Sequence, residues 1–399
     1  MLSVRVALCM DPYDASSYTA FGTKGQERET RLKQVPGPGT PSPFTNQTIS
    51  PTVGAMSTIH IMHENPEWAA PLFAALDARG LAYRDWFLDE GSIDLSAPPP
   101  EGIFYSRMSA SSHTRGHRYA PELTAAMLVW LEQAGRVVLN GSRTLALEVS
   151  KVAQYTALAD VGVPVPRTIA AVGAQSIIDA WDVIDGPVIT KHNRAGKGLG
   201  VRLFREKASL QDYVHGSGFD PSVDGITLVQ QYIQAPEPCI VRVEMVGREL
   251  VYAVRVDTSE GFELCPADVC ELDASTCMID GAQGNSDAQE RTEKFQILKD
   301  IEPPFVAEIQ QLMRNNGTHV AGFEYITDDA GRAYVYDINT NTNYNSAAEA
   351  RVGISAMDRL AAFLGETSTA PLIEAPGPHR PPHSSSEAQG SVVDRVGHR

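Results

Sequence analysis

The sequence predicts an α/β (α+β) protein in which a small parallel-sheet unit precedes a larger, strand-rich one. Ile59 to Met62 reads as a strand, and Pro66 then opens a helix with Trp68, Leu72, Phe73 and Leu76 at helical spacing and Gly80 as its stop. Short apolar runs at Tyr83 to Leu88, Ile103 to Tyr105 and Val137 to Leu139, with a helical stretch from Pro121 to Gln133 between the last two, repeat the β-α-β order of a parallel sheet. From Val188 to Val256 the pattern changes to strands and hairpin turns, at Gly196 to Gly200 and at Gly247-Arg248.

The remaining elements follow in order. Leu145 to Val161 reads as one helix, ended by Gly162 and by the prolines of Val163-Pro164-Val165-Pro166. Gly322 to Asn339 reads as a hairpin whose turn is Asp328-Asp329-Ala330-Gly331, and Ala347 to Leu364 as a closing helix. The expected units are therefore residues 56–141, a small α/β domain, and residues 142–364, the larger domain. Residues 1–55 are rich in Gly, Pro, Ser and Thr and read as a disordered leader, with Met56 as an alternative start. Residues 365–399 read as a floppy tail.

Bulk properties narrow the function. A chain of 399 residues, 43% hydrophobic and 21% charged, is expected to fold, and a formal net charge of -16 opposes nucleic acid and anionic membranes as general partners. Five cysteines without paired C-x-x-C spacing indicate neither a disulfide framework nor a zinc site, which fits a reducing, cytoplasmic setting. No apolar run reaches the roughly 20 residues needed to span a bilayer.

Three stretches carry chemistry. In Val188-Ile189-Thr190-Lys191-His192-Asn193-Arg194-Ala195-Gly196-Lys197-Gly198-Leu199-Gly200 a strand delivers Lys191, and three alternating glycines follow. Glycines let backbone N–H groups approach a phosphate, and a lysine supplies a point charge. A glycine-rich hairpin with a surface lysine has the same pattern. In the Gly322 to Asn339 hairpin, Glu324 can lie beside Asp337 and Asn339, which are two apart and share a strand face. These are oxygen donors of the kind magnesium takes, although a half-exposed strand with a polar face would read alike. In Thr227 to Ile233 a strand runs into Pro236 and Pro238 and can offer backbone groups to a base edge.

The ordered set resembles the ATP-grasp superfamily, particularly RimK-type glutamate ligases. It comprises a lysine-bearing helix before G-V-P-V-P, the lysine strand with its glycine loop, Gln230-Gln231-Tyr232-Ile233, the segment Val241 to Arg248 and the terminal Asp337-Ile338-Asn339. The resemblance covers roughly residues 142–364. It implies an ATP-dependent carboxylate-amine ligase acting through an acyl phosphate, with ATP and Mg2+ (or Mn2+) as cofactors and a small-molecule or peptide carboxylate and an amine as substrates. A phosphotransferase and a non-catalytic ATP-binding regulator remain the alternatives, and the oligomeric state is open.

Carried over by position, Lys151 and Lys191 reach phosphates under the loop formed by Gly196, Lys197, Gly198 and Gly200. Gln231, Tyr232 and Ile233 form the adenine hinge, Glu237 replaces a ribose-binding acid absent at Ile240, and Arg242 contacts the transferred group. Glu324, Asp337 and Asn339 hold the metal. At the substrate end, Arg107, His113 and Arg115 form a basic loop suited to an anionic group, or simply a solvated one. Arg255 and the segment Phe262 to Asp268 are candidates for the acceptor side.

Overall fold

The computed structural model describes residues 57–196, 198–259, 294–299 and 301–370. The expected leader (1–55), Lys197, the segment Phe262 to Asp268, Cys265, Cys270, Cys277 and the tail beyond 370 lie outside the described residues. Strands β1 (Ile59–His63), β2 (Tyr83–Phe87), β3 (Ile103–Ser106) and β4 (Val137–Leu139) form a parallel sheet in the order β2-β1-β3-β4. Helices α1 (Pro66–Ala78) and α2 (Ala120–Gln133) supply its crossovers. All five residues of β1 are buried, as expected of a parallel strand covered on both faces.

Helices α3 (Ser142–Glu148) and α4 (Lys151–Asp160) follow where one helix was expected. The break has a local cause: Ser150 is extended and its side chain accepts a hydrogen bond from the Ala153 N–H, so it caps a new helix. Strands β5 (Thr168–Ala171), β6 (Val188–His192), β7 (Arg202–Phe204) and β8 (Thr227–Gln231) make an antiparallel sheet ordered β5-β8-β6-β7. Helices α5 (Ala174–Ile184) and α6 (Lys207–His215) accompany it, so the stretch read as mainly strands contains α6.

A third sheet, ordered β11-β10-β9-β12-β13, joins β9 (Cys239–Val246), β10 (Glu249–Asp257), β11 (Phe295–Leu298), β12 (Val320–Thr327) and β13 (Ala333–Asn339). Gly247 and Arg248, both at positive φ, turn β9 into β10. Asp328 accepts from the N–H groups of Ala330 and Arg332 and so closes the β12–β13 turn. One face of this sheet packs Val243, Met245, Phe323 and Val335 against α4 and α7 (Val306–Asn316). The other face carries the polar residues described below.

The closing helix is also two: α8 (Ser346–Val352) ends at Gly353 in the left-handed region, and Ser355 caps α9 (Ala356–Thr369). Residues 365–369, expected to begin the tail, instead complete α9. There Gly365 lies close against Leu81 and the Ser57 N–H donates to the Ser368 carbonyl. Asn140 ties the first sheet to the third, donating to the carbonyls of Val320 and Thr340 and accepting from the His319 and Val320 N–H groups. Among the described residues no helix is long and apolar enough to cross a membrane.

Beside this junction the His319 ring stacks on Phe363 and its Nε2 lies 3.0 Å from Arg248 Nη2. Burial, and then the Arg248 charge, push its pKa down to about 4. The unfolded chain therefore takes up this proton first as pH falls. Stability should drop by about 2–3 kcal/mol from pH 6.5 to 4, and urea titrations of His319→Gln should lack that part of the slope.

Candidate active site

Strand alternation and register build one polar face. In the third sheet Glu324 lies opposite Arg242 on β9 and opposite Asp337 on β13, and Gly322 lies opposite Glu244 and Asn339. Arg242, Glu244, Glu324, Asp337 and Asn339 thus occupy two adjacent rows. Arg242 is buried between two carboxylates: its Nε donates to Glu244 at 2.5 Å and its Nη1 to Glu324 at 2.9 Å. Gly322 leaves the room for this arrangement, since a Cβ there would stand 2.7 Å from Glu244 Oε2 and 2.8 Å from Arg242 Nη2.

Two lysines arrive from different elements. Lys151, the first residue of α4, donates to Asp337 Oδ1 at 2.5 Å. Lys191, from β6, donates to the Tyr336 carbonyl at 3.2 Å and sits 5.4 Å from the centres of the Tyr155 and Tyr336 rings. Burial lowers its pKa to about 8, against the pull of Asp337 and Glu324. The two acids diverge. Burial works to raise Asp337, but Lys151 and Lys191 outweigh it and hold the carboxyl below its usual value. Burial raises Glu324, and Arg242 does not fully reverse it. Neighbouring carboxylates pushed apart in this way are what a site of chemistry shows, and a structural ion-pair network shows it too.

These groups line one cleft roofed by the β6–β7 glycine loop and closed by the loop after β3. Lys151, Lys191, Gly196, Gly198, Arg242, Glu324, Asp337 and Asn339 are brought together there; Ile189, Val201 and Ile338 add apolar surface. The loop needs its glycines: Gly200 has φ +72 and a Cβ there would meet the His192 ring at 2.2 Å. Gly200→Ala is expected to lower stability by about 2–3 kcal/mol, seen as a lower urea midpoint.

Other expected residues are placed differently. Gln231, Tyr232 and Ile233 are outside the cleft lining, and the Gln231 and Tyr232 N–H groups already donate to the carbonyls of Arg167 and Pro187. An adenine edge would therefore have to find its donors after Tyr232. Glu237 and Arg255 pair with each other at 2.8 Å, away from the cleft. The reason is register: Arg255 stands opposite Val241, on the face of the sheet opposite to Arg242. Arg107 is buried behind the cleft and holds the loop after β13, donating to Asn341 Oδ1, the Thr342 carbonyl and Asn343 Oδ1. His113, in the turn Ser112–Arg115, is not among the cleft-lining residues, and burial lowers its pKa. Arg115 pairs with buried Glu64 and lies over Trp68, whose ring reaches the cleft.

Several lining residues gave no sequence signal. Glu148 accepts from the Ala110 and Thr340 N–H groups, joining the two loops that frame the cleft. Gln154 clasps β13 at Ile338 through both its amide atoms, between the two expected metal donors. Glu244, which holds Arg242 from behind without lining the cleft, could be anticipated only from its spacing of two from Arg242.

Residues 149–263 match the model of the RimK-like ATP-grasp domain. That segment of the chain is similar to the RimK-like ATP-grasp domain. The chain is 25% identical over 217 residues to beta-citrylglutamate synthase B of Mus musculus, covering 54% of this chain and 49% of that one. It is 28% identical over 139 residues to the ribosomal protein bS6–L-glutamate ligase of Shigella flexneri, covering 34% of this chain and 45% of that one. The chain thus spans about half the length of these two curated relatives. Among solved structures, a RimK domain ATP-grasp protein from Sphaerobacter thermophilus superposes with a TM-score of 0.51 at 19% identity, over 77% of this chain and 99% of that one. The ATP-grasp ligase PsnB, complexed with minimal precursor, Mg and ADP, gives 0.52 at 16% identity, over 80% and 100%. At these identities the likeness is one of fold. The parallel sheet followed by two antiparallel sheets is thus the ATP-grasp architecture expected of the sequence.

Proposed function

We propose that this protein is an ATP-dependent carboxylate-amine ligase, working in the cytoplasm with magnesium. The observation that carries the reading is the convergence of Lys151, Lys191 and Arg242 with Glu324, Asp337 and Asn339 in one cleft under a glycine loop. No group of three His, Cys, Asp or Glu side chains that could hold a metal occurs among the described residues. A cation would therefore be held by two carboxylates, the Asn339 amide oxygen and oxygens of the nucleotide. That all-oxygen set fits Mg2+, which keeps several positions for phosphates and water. The ion would supply charge neutralisation across the phosphates.

The chain's own groups divide the remaining work. Lys151 and Lys191 present ammonium charge to phosphate oxygens, and Lys151 gives up Asp337 Oδ1 when it does so. Arg242, fixed from both sides by Glu244 and Glu324, faces the transferred phosphoryl group. Positioning and charge stabilisation are most of what phosphoryl transfer asks of a protein. The substrate carboxylate attacks the γ-phosphate, ADP leaves, and the amine displaces phosphate from the acyl carbon. Gly196 to Gly200 and the loop at Ser109 to Ser111 shield that step from water. Arg115 and Trp68 stand at the carboxylate-substrate end, and Arg107 contributes by holding the 341–343 loop.

The test is ADP release against a library of amino acids, dipeptides and amines, with mass analysis of products. A condensed product appearing with ADP supports the ligase; a phosphorylated product with no amide would make the protein a phosphotransferase.

A further inference from the structure

The carboxylates proposed to hold the metal already have partners inside the chain. Lys151 Nζ donates to Asp337 Oδ1 at 2.5 Å. Glu324 Oε1 accepts from Arg242 Nη1 at 2.9 Å and from Asn339 Nδ2 at 3.4 Å, and its Oε2 accepts from the Tyr336 hydroxyl at 2.9 Å. The charges balance too. Lys151, Lys191 and Arg242 stand with Glu244, Glu324 and Asp337, and all of these but Asp337 are buried. Arg107 and Glu148, which bind the loop that continues β13, add one charge of each sign. A divalent ion arriving alone would bring two positive charges to a neutral cluster. At either oxygen of Asp337 it would lie beside the Lys151 ammonium, where low dielectric keeps the repulsion strong.

Of the three cations Lys151 is the one built to move. Arg242 is fixed from both sides by carboxylates, and Lys191 is held by the Tyr336 carbonyl and leaves Asp337 Oδ1 alone. The Lys151 backbone is pinned: its N–H donates to the Asn193 carbonyl at 3.1 Å, and Asn193 Oδ1 accepts from the Val152 N–H at 2.9 Å. The first turn of α4 is thereby tied to the root of the glycine loop, and only the lysine side chain is left to swing. Its ammonium has three protons to share and lines the same cleft as Gly196 and Gly198. Phosphate oxygens there would offer it a second partner and would supply the negative charge that a divalent ion requires.

We propose that Lys151 is a resident cation that bars a divalent ion from Asp337 until nucleotide phosphates draw its ammonium away, so that metal and nucleotide load together. The choice of metal donors and of nucleotide rests on the function proposed above. By linkage, each of the two ligands then strengthens the other by the same factor.

Mn2+ is the probe, followed by the paramagnetic resonance signal of the free ion as the full chain is titrated without nucleotide. Lys151→Met should bind Mn2+ about tenfold or more tightly than the wild type does. Its melting temperature should also rise saturably with Mn2+, a rise the wild type lacks. Lys151→Gln, which can still hydrogen-bond Asp337 but carries no charge, should show the same gain and serves if the Met variant does not fold. Adding Asp337→Asn to either variant should abolish the gain, and ADP should bring Mn2+ onto the wild type beyond the amount that ADP holds in protein-free solution. Superposable Mn2+ curves for the wild type and a folded Lys151 variant would overturn the barrier, as would a gain that survives Asp337→Asn. A gain that needs Asp337, in a protein that takes up no Mn2+ with ADP, would instead overturn the nucleotide reading and leave the barrier standing.

Discussion

Arg242→Met is expected to cost about 3–5 kcal/mol of stability and to abolish ATP turnover. Its guanidinium joins Glu244 at 2.5 Å and Glu324 at 2.9 Å, all three side chains being buried. Removing the cation strands two carboxylates in a region where burial already raises both their pKa values, and uncompensated buried charge is what makes such a loss large. Neutralising both acids in the same protein, as Arg242→Met with Glu244→Gln and Glu324→Gln, should return most of the stability and none of the turnover. Urea unfolding and ADP release on the two proteins separate the roles. A single variant with an unchanged urea midpoint would mean that the cluster is not dry.

Lys191→Met should act in the opposite sense on stability. Turnover should fall by about 10²–10³-fold, the usual loss when one preorganised charge is removed, while the urea midpoint at pH 7 should rise. Burial lowers the Lys191 pKa to about 8, so the folded state holds this charge at a disadvantage of about 3 kcal/mol below that pH. Between pH 8 and 10.5 the folded protein has lost the proton and the unfolded chain retains it. Wild-type stability therefore gains on the variant as pH rises through that window. Parallel stability profiles would show that Lys191 is solvated. Unchanged turnover would remove it from the phosphate site.

The hairpin that carries Glu324, Asp337 and Asn339 was legible as a hairpin because most of its information is local. Period-two alternation places Asp337 and Asn339 on one face, and the Asp328 to Gly331 turn closes the hairpin, but Glu324 comes opposite Asp337 only through a β-bulge between that pair and the Tyr325–Val335 pair, which the alternation does not show. The glycine loop and Lys191 were legible for the same reason. What escaped depends on contacts distant in sequence. Arg107 reads as a basic-loop residue until the chain returns some 235 positions later to present Thr342 to it, and Glu244 gains meaning only beside Gly322 and Tyr344. Arg255 was misplaced because proximity to Arg242 in the hairpin says nothing of sheet face until register is known. The two split helices escaped because Ser150 and Ser355 look like interior polar positions unless their capping bonds are seen.

Transfer of oxygen from the substrate carboxylate to inorganic phosphate tests the central claim most directly. With the carboxylate labelled with the heavy oxygen isotope and the amine present, activation through an acyl phosphate carries one labelled oxygen into each phosphate released beside the amide. Phosphate without label, or phosphate retained on the product, would contradict it.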